Sequence, residues 1–373
     1  MRVTRSSQPS TGTNLSMPPA NRSTGSSAKF LCIAACVAAL LVTFSTGIAG
    51  AQDPQRARDY TSIVVFGDSL SDTGNVAHLT LDKYGVEIPG PDADYTAGRF
   101  TDGADTLPPA EKYFGVWVEQ LAATFPSKPA VKDSLDGGTN YAYGFATTGD
   151  GTGVFTFGPS DSLSVNVENV GQQINDYLAT KPTITDKTLF VVWGGAIDVL
   201  YATSSDDVIT AGLNQTVNIQ RLIDAGATQF ILPNLPPLGL VPRLNGSPAT
   251  SVPATAASVL YNDVLSSGVA LLREANGGKR LHLDQLDVFA LFNRIVASPS
   301  TYSLVNITDS SQGIAVDPDT YLFWDDLHPT TRGHNILARK AAKVLAREGC
   351  WNDSASAERS RTNLHADCVD AGR

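Results

Sequence analysis

The chain is poor in the residues that carry metal and redox chemistry. Its 373 residues include only four cysteines, five histidines and two methionines. Cys32 and Cys36 fall in an N-terminal apolar stretch and Cys350 and Cys368 near the other end, so the spacing of a zinc or iron–sulfur site is missing. Neither a metal nor a cofactor is expected. Positive charge is also scarce, with 27 Lys and Arg against 37 Asp and Glu, a net charge of −10. A surface this acidic excludes nucleic acid and anionic lipid as natural partners. No internal repeat is found.

Long apolar runs are confined to one place, Phe30 to Ile48, which follows Arg22 and Lys29 and ends in Ala49-Gly50-Ala51. A basic flank, a short apolar core and a small-residue exit mark a secretory signal peptide, cleaved after Ala51. The competing reading is an uncleaved anchor, since the run is close to the lower length of a spanning helix. Met17 offers a second start. Ile33-Ala34-Ala35-Cys36 looks like a lipoprotein box, but only three apolar residues precede Ile33, too few for the core that such a box requires. The segment 1–51 carries four of the 27 basic residues and no acid, so the remainder has a charge of −14. Cys350 and Cys368 remain; in an oxidising compartment they either pair, adding roughly 3 kcal/mol at most, or stay as thiols in a polar tail. The expected organisation is a signal peptide over 1–51, one domain over 52–347 and a polar tail over 348–373. The destination is secreted, periplasmic or extracellular, with no stable membrane anchor after cleavage.

Short apolar runs alternate with longer helical patterns. Strands are predicted at Ile63–Phe66, Leu189–Trp193, Phe230–Pro233 and Leu281–Leu283, with another near Thr139–Tyr143. Helices are predicted over Val167–Leu178, Asp207–Ala225, Ala254–Ala275 and Thr331–Arg347. Such alternation gives an α/β fold, a parallel sheet covered by helices on both faces. The stretches 78–112 and 148–164 are rich in Gly, Pro, Asp and Thr without periodicity. They are expected to form irregular loops that shape a cleft.

The chemistry concentrates in two short segments. Phe66-Gly67-Asp68-Ser69-Leu70-Ser71-Asp72-Thr73-Gly74-Asn75 follows the apolar run Ile63-Val64-Val65, so Ser69 sits where a strand runs into a tight turn. That position exposes a serine as a nucleophile, because the strand fixes it and free N–H groups surround it. Near the other end, Trp324-Asp325-Asp326-Leu327-His328-Pro329 supplies an acid and an imidazole three residues apart. A serine hydroxyl needs a base to remove its proton, for which His328 is the candidate, and Asp325 would orient the ring and stabilise its charged form. Asp68 is expected to stiffen the serine loop and Asn75 to be structural. Asp326 is read as solvated, His334 as a surface or packing residue.

Together these segments resemble the GDSL (SGNH) esterase/lipase family. Gly98-Arg99-Phe100-Thr101-Asp102-Gly103 with Trp117-Val118-Glu119, Asn140-Tyr141-Ala142-Tyr143-Gly144-Phe145-Ala146, Trp193-Gly194-Gly195-Ala196-Ile197-Asp198 and Asn234-Leu235-Pro236-Pro237-Leu238-Gly239 are similar to further family blocks, in the family's order. The resemblance implies a three-layer α/β/α sandwich whose five-stranded, mainly parallel sheet has the flavodoxin-like order 2-1-3-4-5. It also implies a secreted serine esterase or lipase acting through a Ser69–His328–Asp325 triad and an acyl-enzyme. The substrates would be short-chain acyl esters, lipids or acylated glycans. Two departures stand out. The family's asparagine in the third block is Ile197, and the second glycine of the second block is Phe145. In the family these two positions, with the serine's own N–H, form the oxyanion hole, so the resemblance implies that Gly144 or Phe145, with Ser69, would donate from the backbone. Loss of one donor costs about 10²–10³ in rate. A silent relative that binds a glycan or lipid is the alternative, as is an acyltransferase on the same triad.

Overall fold

The computed structural model describes residues 58–103, 113–158 and 162–351. The signal peptide, the start of the expected domain, the polar tail from residue 352 and Cys368 lie outside them, as does the side chain of Cys350. In chain order the first elements are β1 (Ser62–Gly67), α1 (Asn75–Tyr84), α2 (Trp117–Ala122), β2 (Thr152–Phe157), β3 (Leu163–Glu168), α3 (Val170–Ala179), β4 (Thr188–Trp193) and α4 (Ala196–Tyr201). Then follow α5 (Ser205–Asp224), β5 (Gln229–Pro233), α6 (Pro242–Asn245), α7 (Pro248–Ala275), β6 (His282–Leu286), α8 (Val288–Ala297), β7 (Asn306–Ser310), β8 (Tyr321–Phe323) and α9 (Thr331–Trp351).

The central sheet runs β1-β4-β5-β6, all parallel, with Val64 opposite Phe190 and Phe230 opposite Leu283. β4 and β5 are buried along their whole length, which is why they read as continuous apolar runs rather than as an alternation. Tyr177 of α3 packs on Phe66 and Phe190 on one face, and Trp117 of α2 meets Trp193 edge-on at 5.5 Å on the other. β1 and β4 approach so closely at their ends that a Cβ on Gly67 would lie 2.4 Å from the Trp193 carbonyl oxygen. The glycine before Asp68 is therefore a condition of the sheet ending as it does.

Several expectations need correction. The central sheet has four strands among the described residues, not the five of the order 2-1-3-4-5. Thr139–Tyr143 forms no strand: it runs along the free edge of β1, with the Val65 N–H donating to Thr139 O and the Tyr141 N–H to Val65 O, but only Asn140 makes a sheet bridge there. On its other side Asn140 bridges to Asp133, giving its N–H to the Lys132 carbonyl, and its side-chain amide donates to Ser71 O. Residues 148–164 are not wholly irregular, since 152–157 and 163–164 belong to the antiparallel strands β2 and β3; Val167, expected in a helix, pairs with Gly153 there. Buried Val165 and Val167 alternate with exposed Asn166, a two-residue period that a helical reading of 167–178 overlooks. α7 begins at Pro248 rather than Ala254: Pro248 suits the first helical position, while Pro253, inside the second turn, has no N–H to give to the carbonyl of residue 249. The stretch 78–112 opens with the end of α1.

Candidate active site

Ser69 leaves the sheet at the C-terminal end of β1. The Asp68 carbonyl accepts the Ser71 and Asp72 N–H groups at 3.0 and 3.1 Å, and the Asp68 carboxylate accepts the Leu70 N–H at 3.1 Å, which closes the turn. Asp72 does the same one step further. It accepts the N–H groups of Gly74 and Asn75, both at 2.8 Å, and so anchors the start of α1. Asn75 is fully buried; its amide donates to Asn140 O and Ala142 O at 2.9 Å and ties this loop to residues 139–143, a structural task.

Asp325 and His328 sit in the loop between β8 and α9. The Asp325 Oδ1 accepts the Leu327 and His328 N–H groups at 2.8 and 2.6 Å, an Asx-type turn that turns residue 328 back over residue 325. The Trp324 N–H donates to His328 O at 2.8 Å and closes the loop from outside. At the far end Thr331, the first residue of α9, gives its N–H to Asp102, a carboxylate where a helix N-terminus favours one. The structure brings the three side chains together: His328 Nε2 is 2.9 Å from Ser69 Oγ, and His328 Nδ1 is 2.7 Å from Asp325 Oδ2.

Two neighbours complete this side, Tyr95, which no motif marks, and Phe100 from the block Gly98–Gly103. Tyr95 donates its hydroxyl to Asp325 Oδ2 at 2.8 Å, and the Phe100 ring lies 5.0 Å from the His328 ring. Tyr95 comes from the irregular stretch near residue 90, where the sequence offers no signal for it. Burial and then the Asp325 charge push the Tyr95 phenol up, so it stays a donor. For Asp325, burial alone would favour protonation. The His328 charge and the surrounding N–H groups outweigh it and hold the carboxyl well below the usual carboxylate range. An ionised Asp325 fixes the proton on Nδ1 and leaves Nε2 to accept from Ser69.

The opposite side of Ser69 is built differently. Gly144 was one of two expected backbone donors, but its N–H is already bonded to Asp72 Oδ2 at 2.9 Å. A Cβ there would also lie 2.5 Å from the Phe100 ring. Phe145 is the remaining one. It adopts φ 71°, a left-handed conformation unusual for a bulky residue, and packs against Tyr201 at 5.5 Å and Phe155 at 6.3 Å. Among the described residues the N–H groups of Ser69 and Phe145 make no hydrogen bond. Ile197, in the first turn of α4, offers no side-chain donor and is only 8% exposed. It lines an apolar cavity of about 50 Å³ that also touches Ser69 and His328. Asp198 beside it turns away and accepts Thr148 N–H and Oγ1–H at 3.0 and 2.9 Å.

Other candidates fall outside this group. Asp326 is exposed but not free: Arg243 holds it through two bonds of 2.9 Å. His334 is a packing residue, fully buried, accepting the Trp117 N–H at Nδ1; burial, then the His328 charge, push its pKa down to about 3. His78, Asp133 and Asp136 place three possible metal ligands within 4.8 Å of one another, but Lys132 already pairs with Asp136 at 2.6 Å.

Comparison with known proteins points one way. A sequence model of the GDSL-like Lipase/Acylhydrolase family matches residues 63–341. An acetylesterase of Thermothelomyces thermophilus is 28% identical over 318 residues, which cover 81% of this chain and 94% of that protein. A thermolabile hemolysin of Vibrio parahaemolyticus is 25% identical over 301 residues, covering 74% of this chain and 62% of the hemolysin. An uncharacterized protein from the trpE–trpG intergenic region of Pseudomonas putida is 27% identical over 330 residues, 82% of this chain and 52% of its own length. The chain thus spans about half to two thirds of the last two relatives and nearly all of the first. With three quarters of its length matched, the chain belongs to the GDSL-like lipase/acylhydrolase family.

Proposed function

We propose that this chain is a secreted serine esterase that hydrolyses carboxylic esters through an acyl-enzyme on Ser69. The observation that carries the reading is the unbroken line of hydrogen bonds from Ser69 Oγ through His328 to Asp325, at 2.9 and 2.7 Å. Its direction follows from an ionised Asp325. As Ser69 Oγ attacks the ester carbonyl carbon, His328 Nε2 takes the hydroxyl proton, and Asp325 stabilises the imidazolium. The carbonyl oxygen becomes an oxyanion, met by the N–H groups of Ser69 and Phe145. Collapse expels the alcohol, which takes the proton from His328 Nε2. Water then repeats the sequence: it gives a proton to His328, attacks the acyl carbon and releases the acid, and Ser69 regains its proton.

Family membership and the acetylesterase relative support ester substrates. Export is supported by the basic flank, apolar core and Ala49-Gly50-Ala51 exit of residues 1–51. A second reading, a silent relative that retains only binding, is favoured by Ile197, which supplies no third donor. Hydrolysis of 4-nitrophenyl esters by the full chain separates the two. Turnover that Ser69→Ala reduces by several orders of magnitude supports the esterase. Turnover at the wild-type level in Ser69→Ala overturns it, and none in either protein favours the silent relative.

A further inference from the structure

We propose that Ile197 is the specificity-determining wall of an acyl pocket, and that the site prefers esters of short aliphatic acids, butyryl to hexanoyl, over acetyl and long-chain esters. This rests on the serine-esterase reading. The cavity beside Ser69 is walled by Ile197 and Leu200, one turn apart on α4, by Leu238 and Val241 before α6, by Phe292 of α8 and by Leu337 of α9. Among the described residues its charged or hydroxylic lining groups are Asp68, Ser69 and His328, all clustered around the nucleophile. An ester bound to Ser69 Oγ therefore has an apolar recess next to its carbonyl carbon.

The recess suits the acyl chain rather than the alcohol. The alcohol has to leave and water has to replace it within reach of His328, which a dry apolar wall discourages, whereas the acyl chain stays until the last step. A water-sized group needs roughly 10–15 Å³ of such space. A cavity of about 50 Å³ accordingly has room for only a few methylene-sized groups. An acetyl methyl leaves most of it unfilled, and a palmitoyl chain overruns it. An asparagine at 197 would set an amide into this apolar wall. The isoleucine removes a donor for the oxyanion and adds apolar surface for the chain.

The test is kcat/KM for 4-nitrophenyl acetate, butyrate, hexanoate, decanoate and palmitate, measured on the full chain. Activity rises about fourfold per methylene from acetate while the cavity fills, and falls beyond hexanoate. Ile197→Ala, which widens the recess, shifts the optimum toward decanoate; Leu200→Phe, which narrows it, shifts the optimum toward acetate. A general structural defect would depress all chain lengths alike. A flat profile, or a shift of both variants in the same direction, overturns the pocket and leaves the esterase standing. If no ester is turned over, the esterase reading fails, and calorimetric titration with hexanoate then decides the pocket alone. Binding that Leu200→Phe weakens supports it, and no binding to the wild type overturns it.

Discussion

The loop that carries Asp325 and His328 and the short helix that carries Ile197 flank the same serine and are built from opposite materials. In the loop, polar atoms are densely partnered: Asp325 alone accepts from Leu327, Tyr95, the His328 N–H and the His328 ring. On the helix side the neighbours are Ile197, Leu200 and Phe145, and the groups able to meet a negative oxygen are backbone N–H groups. On the proposed reading, the first arrangement would move a proton and the second would stabilise charge and shape the acyl site. The difference teaches that the two tasks can vary separately. A chain can hold the proton-transfer half tightly while its oxyanion half turns apolar, and then the first decides whether a reaction runs and the second how fast and on what.

The comparison breaks most visibly if the polar half proves dispensable. His328→Ala should reduce ester hydrolysis by several orders of magnitude with the fold intact. Asp325→Asn, which keeps the shape but loses the charge and the tautomer it fixes, should cost about 10⁴-fold in kcat. Retained turnover in either variant, in a steady-state assay with folding checked by circular dichroism, would mean that the base lies elsewhere.

The apolar half is sharpened by restoring the missing donor. Ile197→Asn should raise kcat on nitrophenyl acetate by up to about 10²-fold with little change in KM, because the new donor acts on charge that appears only in the transition state. A fall in kcat with a stable fold would show that Ile197 belongs to a differently built hole. Back on the polar side, Tyr95→Phe removes one of four donors to Asp325 and should lower kcat by about tenfold, far less than Asp325→Asn. An equal loss would promote Tyr95 to a partner as important as Asp325 itself.

The last effect concerns stability rather than turnover and lies at Asp68, at the foot of the nucleophile turn. Burial, together with the nearby Asp198 charge, lifts its pKa to about 7 against the opposing Leu70 N–H and His328. Between an unfolded pKa of about 3.9 and this value, the folded chain keeps a proton that the unfolded chain has released. Stability from this group is thus full below about pH 4 and is lost as pH rises through 7. Asp68→Asn retains the acceptor for Leu70 and cannot ionise. Its Tm should exceed that of the wild type at pH 8 and converge toward it near pH 4; a constant difference across that range would contradict the assignment.

Much of this was legible in the sequence because it rests on local patterns. β1, β4 and β5 announce themselves as uninterrupted apolar runs, and Ser69, Asp325 and His328 stand in short segments whose turns are made by their own side chains. What escaped depends on contacts between distant segments. Tyr95 reaches Asp325 across 230 positions of sequence, from a stretch with no period to read. Gly144 looked available as a donor until Asp72, 72 positions earlier, was seen to hold its N–H. The hairpin was hidden because Val165 and Val167 are too few to distinguish a two-residue period from the start of a helix. Ile197 was visible as a departure, but its place in a cavity wall was not, since the other walls come from the segment before α6, from α8 and from α9.

The central claim, an activated nucleophile at position 69, is tested most directly by covalent labelling. Wild-type protein exposed to a fluorophosphonate should acquire one adduct, mapped by mass spectrometry to the peptide containing Ser69, and both Ser69→Ala and His328→Ala should lose it. A wild-type protein that is folded and takes up no label, or a label that persists in Ser69→Ala, would contradict the account.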